Sequence, residues 1–169
     1  RSYDDQQVLF NGYVECEMRG ELGTTQCDLN KPAIISRDEA ERRSNAYSAR
    51  PGHSEHQLGT TIDFNSVDDS YWQQNTAIRQ WLGQNAENYG FVLSYPEGKN
   101  TGYIYEPWHY RYVGKEIASE LKKLDYLGSN DWTLNKYLRE RCISNAACNN
   151  GNPKICLPHP LHASEFFIE

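Results

Sequence analysis

No run of residues approaches the ~18 consecutive apolar positions that a membrane-spanning helix needs, so a membrane span is excluded. Lysine and arginine are scattered rather than clustered, and the formal net charge is -6. Without a basic stripe the chain has no electrostatic footprint for a polyanion, which excludes nucleic acid as a partner. No two cysteines stand as Cys-x-x-Cys, which excludes a thioredoxin-like or zinc-ribbon reading. The helical His-Glu-x-x-His signature is missing too, as are internal repeats and low-complexity tracts. An N-terminal signal peptide is lacking and the chain opens at Arg1 rather than Met, so it reads as a mature or trimmed chain.

What is present fits one domain of 169 residues, a size at which folding buries roughly two-thirds of the unfolded chain's surface. The mean hydropathy of -0.82 is polar for a globular protein. Yet 12 Tyr, 5 Phe and 4 Trp argue against disorder, because disordered segments are poor in such anchors. Of the 5 cysteines, Cys142, Cys148 and Cys156 fall in a tail otherwise rich in Asn, Gly and Pro. Packing alone would not order such a tail, so disulfides within it, or from it to the body, are expected, as in an oxidising compartment. Cys16–Cys27 is a second candidate pair, and the odd count leaves one cysteine unpaired within the chain. Phe166, Phe167 and Ile168 are expected to dock as an apolar anchor.

The spacing predicts a helix over 2–15, with Ser2 as its cap and Val8, Leu9 and Tyr13 on one face. An irregular excursion over 16–35, closed by Cys16 and Cys27, follows. A second helix starts at the capping-box pattern Ser36-Arg37-Asp38-Glu39 and fades near Tyr47. A third covers about 75–89, with Ile78, Trp81, Leu82 and Tyr89 on one side and Gly90 as its stop. Phe91–Ser94 and Gly102–Val113 read as strands, followed by a helix over about 114–127 and a short one after Thr133. Strands sit mid-chain between helices, so the expected class is α+β with a small, mostly antiparallel sheet.

Two segments carry nearly all the chemistry: Ser54-Glu55-His56-Gln57-Leu58-Gly59-Thr60-Thr61-Ile62-Asp63 and Glu106-Pro107-Trp108-His109-Tyr110-Arg111. A catalytic zinc site takes three N/O ligands and keeps one position open. His56, Asp63 and His109 can supply the three and leave Glu106 as a nearby base. On a regular strand His56 and Asp63 would point to opposite faces, but Gly59 can turn the chain between them. Glu106 and His109 also have opposite parity, and Pro107 suits a bulge or strand edge that would bring both into one cleft. Spacing alone leaves a second reading open, since Glu-x-x-His is a weak signal and a histidine or a strand-start aspartate is commonly a surface, core or cap residue.

These segments resemble the paired motifs Ser-x-His-x-x-Gly-x-Ala-x-Asp and Glu-x-Trp-His of the D-alanyl-D-alanine carboxypeptidase family of bacterial zinc peptidases, grouped with lysostaphin-type enzymes and the hedgehog domain. Arg1-Ser2-Tyr3 with Gln6-Gln7, Ala49-Arg50-Pro51-Gly52, Gly102-Tyr103 and Arg111-Tyr112-Val113-Gly114 extend the likeness over 1–15 and 47–140. Thr61 stands where the family usually has Ala.

The resemblance implies a hedgehog/DD-peptidase-like fold with one Zn2+ per chain on His56, Asp63 and His109, and Glu106 as general base. Arg1 would contact the substrate near the scissile carbonyl, Ser54 would hold the terminal carboxylate, and Trp108 would shape the cleft. Arg50 is a further candidate for a free carboxylate. The implied domain covers 1–141, with 142–169 a cysteine-containing tail packed on it. The implied partner is a peptidoglycan stem peptide, cut before its C-terminal D-alanine by an exported monomer. L,D-carboxypeptidase, dipeptidase and endopeptidase specificities stay open, with the 16–35 excursion and the tail as the places that would decide among them. A binding module with an idle zinc is a rival from another class. His53, His159 and His162 are set aside as loop or tail residues.

Overall fold

Ser2 caps the first helix as its spacing predicts. Its hydroxyl accepts from the Asp5 amide at 3.0 Å, and the Asp5 carboxylate accepts in return from the Ser2 amide at 3.2 Å. In this computed structural model, which describes residues 1–144, the chain divides into two compact units, residues 1–59 and 60 onward. The first holds α1 (Tyr3–Met18) and α2 (Arg37–Ser44).

The face that α1 buries differs from the expected one. Val8 is 74% exposed, whereas Gln6, Phe10, Val14 and Glu17 are buried. Phe10 and Val14 pack against Ala40 of α2, with Met18 and Ile35 beside them. The stripe begins and ends on polar residues, so a search for apolar periodicity passes over it. Both are held by hydrogen bonds: Gln6 Nε2 donates to the Ala49 carbonyl at 2.6 Å, and the Tyr47 hydroxyl donates to Glu17 Oε1 at 2.8 Å. Burial, chiefly, pushes the Tyr47 phenol up to about 12.

The helix also runs on past residue 15 through Cys16, which forms the expected disulfide with Cys27, Cα to Cα 5.5 Å. The excursion folds back along α1, where Thr25 lies 3.1 Å from the place a side chain on Gly12 would take. Closing a loop of 11 residues restricts the unfolded chain by about 3 kcal/mol. A Cys16→Ser, Cys27→Ser double variant is therefore expected to lose about that much stability in urea unfolding. An unchanged midpoint would show that the bridge constrains nothing. The expected bonding of Cys142, Cys148 and Cys156, the Phe166–Ile168 anchor, and His159 and His162 lie outside the residues whose side chains are described.

The second unit is built on an antiparallel sheet of three strands, β1 (Thr61–Asp63), β2 (Phe91–Leu93) and β3 (His109–Tyr112), with β3 in the centre. Among the described residues four α-helices accompany it: α3 (Asp69–Gln74), α4 (Thr76–Asn85), α5 (Lys115–Lys123) and α6 (Leu134–Ser144). An α+β class with a small antiparallel sheet is thus what the chain adopts. The core packs Trp72, Val92, Tyr110, Leu121 and Leu134, with Ile117 and Leu124 against it. Leu93 donates its amide to the buried Tyr126 hydroxyl at 3.1 Å, and burial pushes that phenol up to about 12.

Three expectations change here. Residues 102–108 are not strand, and only His109–Tyr112 joins the ladder. The predicted 75–89 helix is α4 followed by a 3-10 turn over Ala86–Tyr89, and Trp81 and Tyr89 face outward, 51% and 59% exposed, ring against ring at 6.2 Å. The short α3, which buries Trp72, was not anticipated. Gly90 does stop the segment, at φ 84, where an added Cβ would lie 2.8 Å from the Tyr112 ring.

Candidate metal centre

His56 sits in a single 3-10 turn, Glu55–Leu58, that Gly59 closes in the left-handed conformation at φ 73. This is the reversal that the parity of His56 and Asp63 requires. The Gln57 side chain returns to accept from the Gly52 amide at 2.9 Å, which ties the loop on itself. Two residues beyond Gly59 the chain enters β1, ending on Asp63.

Asp63 and His109 are directly opposite in the β1–β3 register. The bonds that flank them run from Phe64 N to the Trp108 carbonyl and from Tyr112 N to the Thr60 carbonyl. Ladder bonds alternate, so Asp63 and His109 form a non-hydrogen-bonded pair, the kind in which facing side chains approach most closely. Their Oδ1 and Nδ1 atoms stand 3.3 Å apart. Two ligands bound at ~2.1 Å to one tetrahedral ion are about 3.4 Å from each other, so this separation suits zinc.

Glu106 reaches the site by a different route from the expected bulge. Residues 106–109 make a turn in which His109 N donates to the Glu106 carbonyl at 3.1 Å. Such a turn brings both side chains to one side, and Glu106 Oε2 lies 3.4 Å from His109 Nδ1. Glu106 is 7% exposed and His109 is 5% exposed, so both work out of bulk water. The residue that organises this corner is Tyr95, which sequence reasoning missed. Its carbonyl accepts from Glu106 N at 3.2 Å, and its ring lies 4.6 Å from the His109 ring. Continuing the β2–β3 register past Leu93 would have placed it beside this corner.

His56, Asp63 and His109 each bring one ligand atom to a group whose atoms all lie within 4.8 Å of one another. Among the described residues this is the group of His, Cys, Asp and Glu able to hold an ion, and Glu106 borders it at His109 without belonging to it. Two imidazoles and a carboxylate are a donor set zinc accepts, and one Zn2+ fits there. Thr61 lies on the same face of β1 as Asp63, opposite Arg111, with its hydroxyl buried and without a hydrogen-bond partner among the described residues.

Arg1 is exposed, its guanidinium donating to Gln6 Oε1 at 2.8 Å and its backbone nitrogen to the His56 carbonyl at 3.2 Å. Ser54 is buried and precedes the His56 turn. Arg50 points toward Glu41 of α2 at 3.6 Å, its side chain half exposed. Trp108 is buried in the core of the second unit. His53 lies in the turn after Arg50, outside the ligand group. The 19–35 excursion leaves α1 at its C-terminal end, whereas Arg1 precedes the N-terminal end. A helix of 16 residues is about 24 Å long, so the base of the excursion stands far from Arg1.

Two imidazoles and one carboxylate, with a second carboxylate adjoining, define the class: a zinc centre of catalytic rather than structural type, the latter usually closed by four Cys or His ligands. The particular family follows from comparison with known proteins. Residues 1–115 match the family described as "VanY: D-alanyl-D-alanine carboxypeptidase", and the chain belongs to it. It is 34% identical over 146 residues to the YodJ protein of Bacillus subtilis, covering 83% of this chain and 43% of that protein. The solved structure "VanYB in complex with D-Alanine-D-Alanine" is similar with a TM-score of 0.59 at 30% identity, over 82% of this chain and 66% of that one. The LD-carboxypeptidase LdcB is similar with a TM-score of 0.52 at 34% identity, over 74% of this chain and 51% of that one. The chain spans less than half the length of the curated relatives it matches.

Proposed function

We propose that the chain is a zinc-dependent carboxypeptidase that hydrolyses the peptide bond before a C-terminal D-alanine in peptidoglycan stem peptides. The observation that carries the reading is the His56, Asp63 and His109 group with Glu106 at its His109 edge, in a member of this family. When bound, zinc supplies Lewis-acid activation of water and of the scissile carbonyl.

The protein's own groups do the rest. Glu106, held at its backbone by Tyr95 and set beside His109, takes the proton of the attacking water and delivers it to the departing amine. Arg1 places a fixed positive charge against the developing oxyanion. Ser54 receives the substrate's terminal carboxylate and Trp108 shapes the cleft beside it. Arg50, turned toward Glu41, would have to leave that partner to bind a free carboxylate. The working domain is residues 1–141, followed by the cysteine-containing tail. Among the described residues no helix is long and apolar enough to cross a membrane. The Cys16–Cys27 bridge supports export to an oxidising compartment, where the cell wall lies.

Likeness to LdcB supports a second reading, the L,D bond of a shortened stem peptide. Incubation with defined tetra- and pentapeptide muropeptides, followed by mass analysis, decides. Loss of one alanine from the pentapeptide alone is the expected result. Loss from the tetrapeptide alone would move the assignment to the L,D bond, and no product from either would remove it.

A further inference from the structure

Gln6 is 1% exposed on α1 and makes two hydrogen bonds of opposite polarity. Its Oε1 accepts from Arg1 Nη1 at 2.8 Å, and its Nε2 donates to the Ala49 carbonyl at 2.6 Å. The assignment is forced, because a guanidinium only donates and a carbonyl only accepts. Among side chains of this length, an uncharged primary amide alone offers both on one rigid plane. Glutamate lacks the donor, while lysine and methionine cannot satisfy both ends. The amide thus ties the free end of a long, exposed arginine to the backbone that leads into Arg50, Ser54 and the His56 turn. The Tyr3 ring lies 3.6 Å from the place a Cβ on Gly52 of the same loop would take, so the first turn of α1 and this loop are joined more than once.

We propose that Gln6 is a positioning residue: it holds the Arg1 guanidinium at a fixed distance from the 49–56 loop, so that the charge is in place before substrate arrives. The proposal rests on the reading of Arg1 as the group facing the oxyanion. An unheld arginine must be ordered during the reaction, and its loss of position is felt in kcat more than in KM.

The test is a double-variant cycle on a muropeptide substrate with zinc content measured throughout. Gln6→Met is expected to keep zinc, hold KM within about three-fold and lower kcat about 10- to 100-fold. In an Arg1→Ala background the same change is expected to alter kcat by no more than about two-fold, because the group it positions is gone. An equal loss in both backgrounds would overturn the proposal and leave Gln6 a structural residue. If Gln6→Met does not fold, Gln6→Glu decides: it keeps an acceptor for the guanidinium but loses the donor to the Ala49 carbonyl, so it is expected to keep zinc and lower kcat about five- to ten-fold, and by no more than about two-fold in the Arg1→Ala background. A loss in Gln6→Glu as large as that of Arg1→Ala would count against positioning. Wild-type turnover tests the proposed reaction and the cycle tests Gln6, so the two fail separately.

Discussion

Glu106→Gln is expected to retain its zinc and to lose about 100- to 10,000-fold in kcat, the usual consequence of removing a general base. The amide is nearly the same size as the carboxylate, so the 106–109 turn, held by the Tyr95 carbonyl on Glu106 N and by the Glu106 carbonyl on His109 N, has no reason to move. What changes is that the amide cannot take up a proton. Glu106 Oε2 lies 3.4 Å from His109 Nδ1, near enough for the carboxylate to be mistaken for a ligand, and the experiment separates the two roles. Elemental analysis showing zinc lost with activity would make Glu106 a ligand. Turnover near the wild-type rate would remove it from the mechanism.

Much of the site was legible because its geometry is written in short-range constraints. Gly59 is needed for a left-handed reversal between His56 and Asp63, and it adopts one. The motif residues His56, Asp63 and His109 then converge through one register, Asp63 opposite His109. Caps at Ser2 and Ser36 and the stop at Gly90 were equally local. What stayed illegible depends on partners far along the chain. Gln6 and Glu17 are buried because Ala49 and Tyr47 come to them, which no periodicity within α1 announces. Residues 102–108 carry strand-like aromatics, yet the Glu106–His109 turn leaves only four residues to pair. The six residues of α3 are too few for a helical period, though Asp68 caps them by accepting from Ser70 N.

The position of the excursion also bears on specificity. A loop leaving the far end of α1 and folding back against Gly12 is fastened by its disulfide to the helix, not to the segment carrying Ser54 and His56. We propose that the excursion braces the first unit and that choice of scissile bond falls to Ser54, Trp108 and the 95–106 stretch, in which the Tyr95 and Tyr103 rings lie 4.8 Å apart.

His56→Ala is expected to abolish both zinc binding and activity. Asp63 and His109 are paired across the ladder, their side-chain atoms 3.3 Å apart, and that backbone register does not depend on the side chain at position 56. Two ligands that close would still attract a cation, but the catalytic type of centre needs a third protein ligand to hold zinc against solvent. A metal of this kind contributes several kcal/mol to the transition state, so activity should fall by more than about 1,000-fold. The stability readout is independent of activity. Zinc that binds the folded chain alone raises its melting temperature by mass action, so wild type should melt higher with added zinc and return to its apo value with a chelator. His56→Ala should melt at one temperature in both conditions, and added zinc should restore chelated wild type but not the variant. Full metal retention by His56→Ala on elemental analysis would sink the ligand assignment, because the remaining pair would then suffice without it.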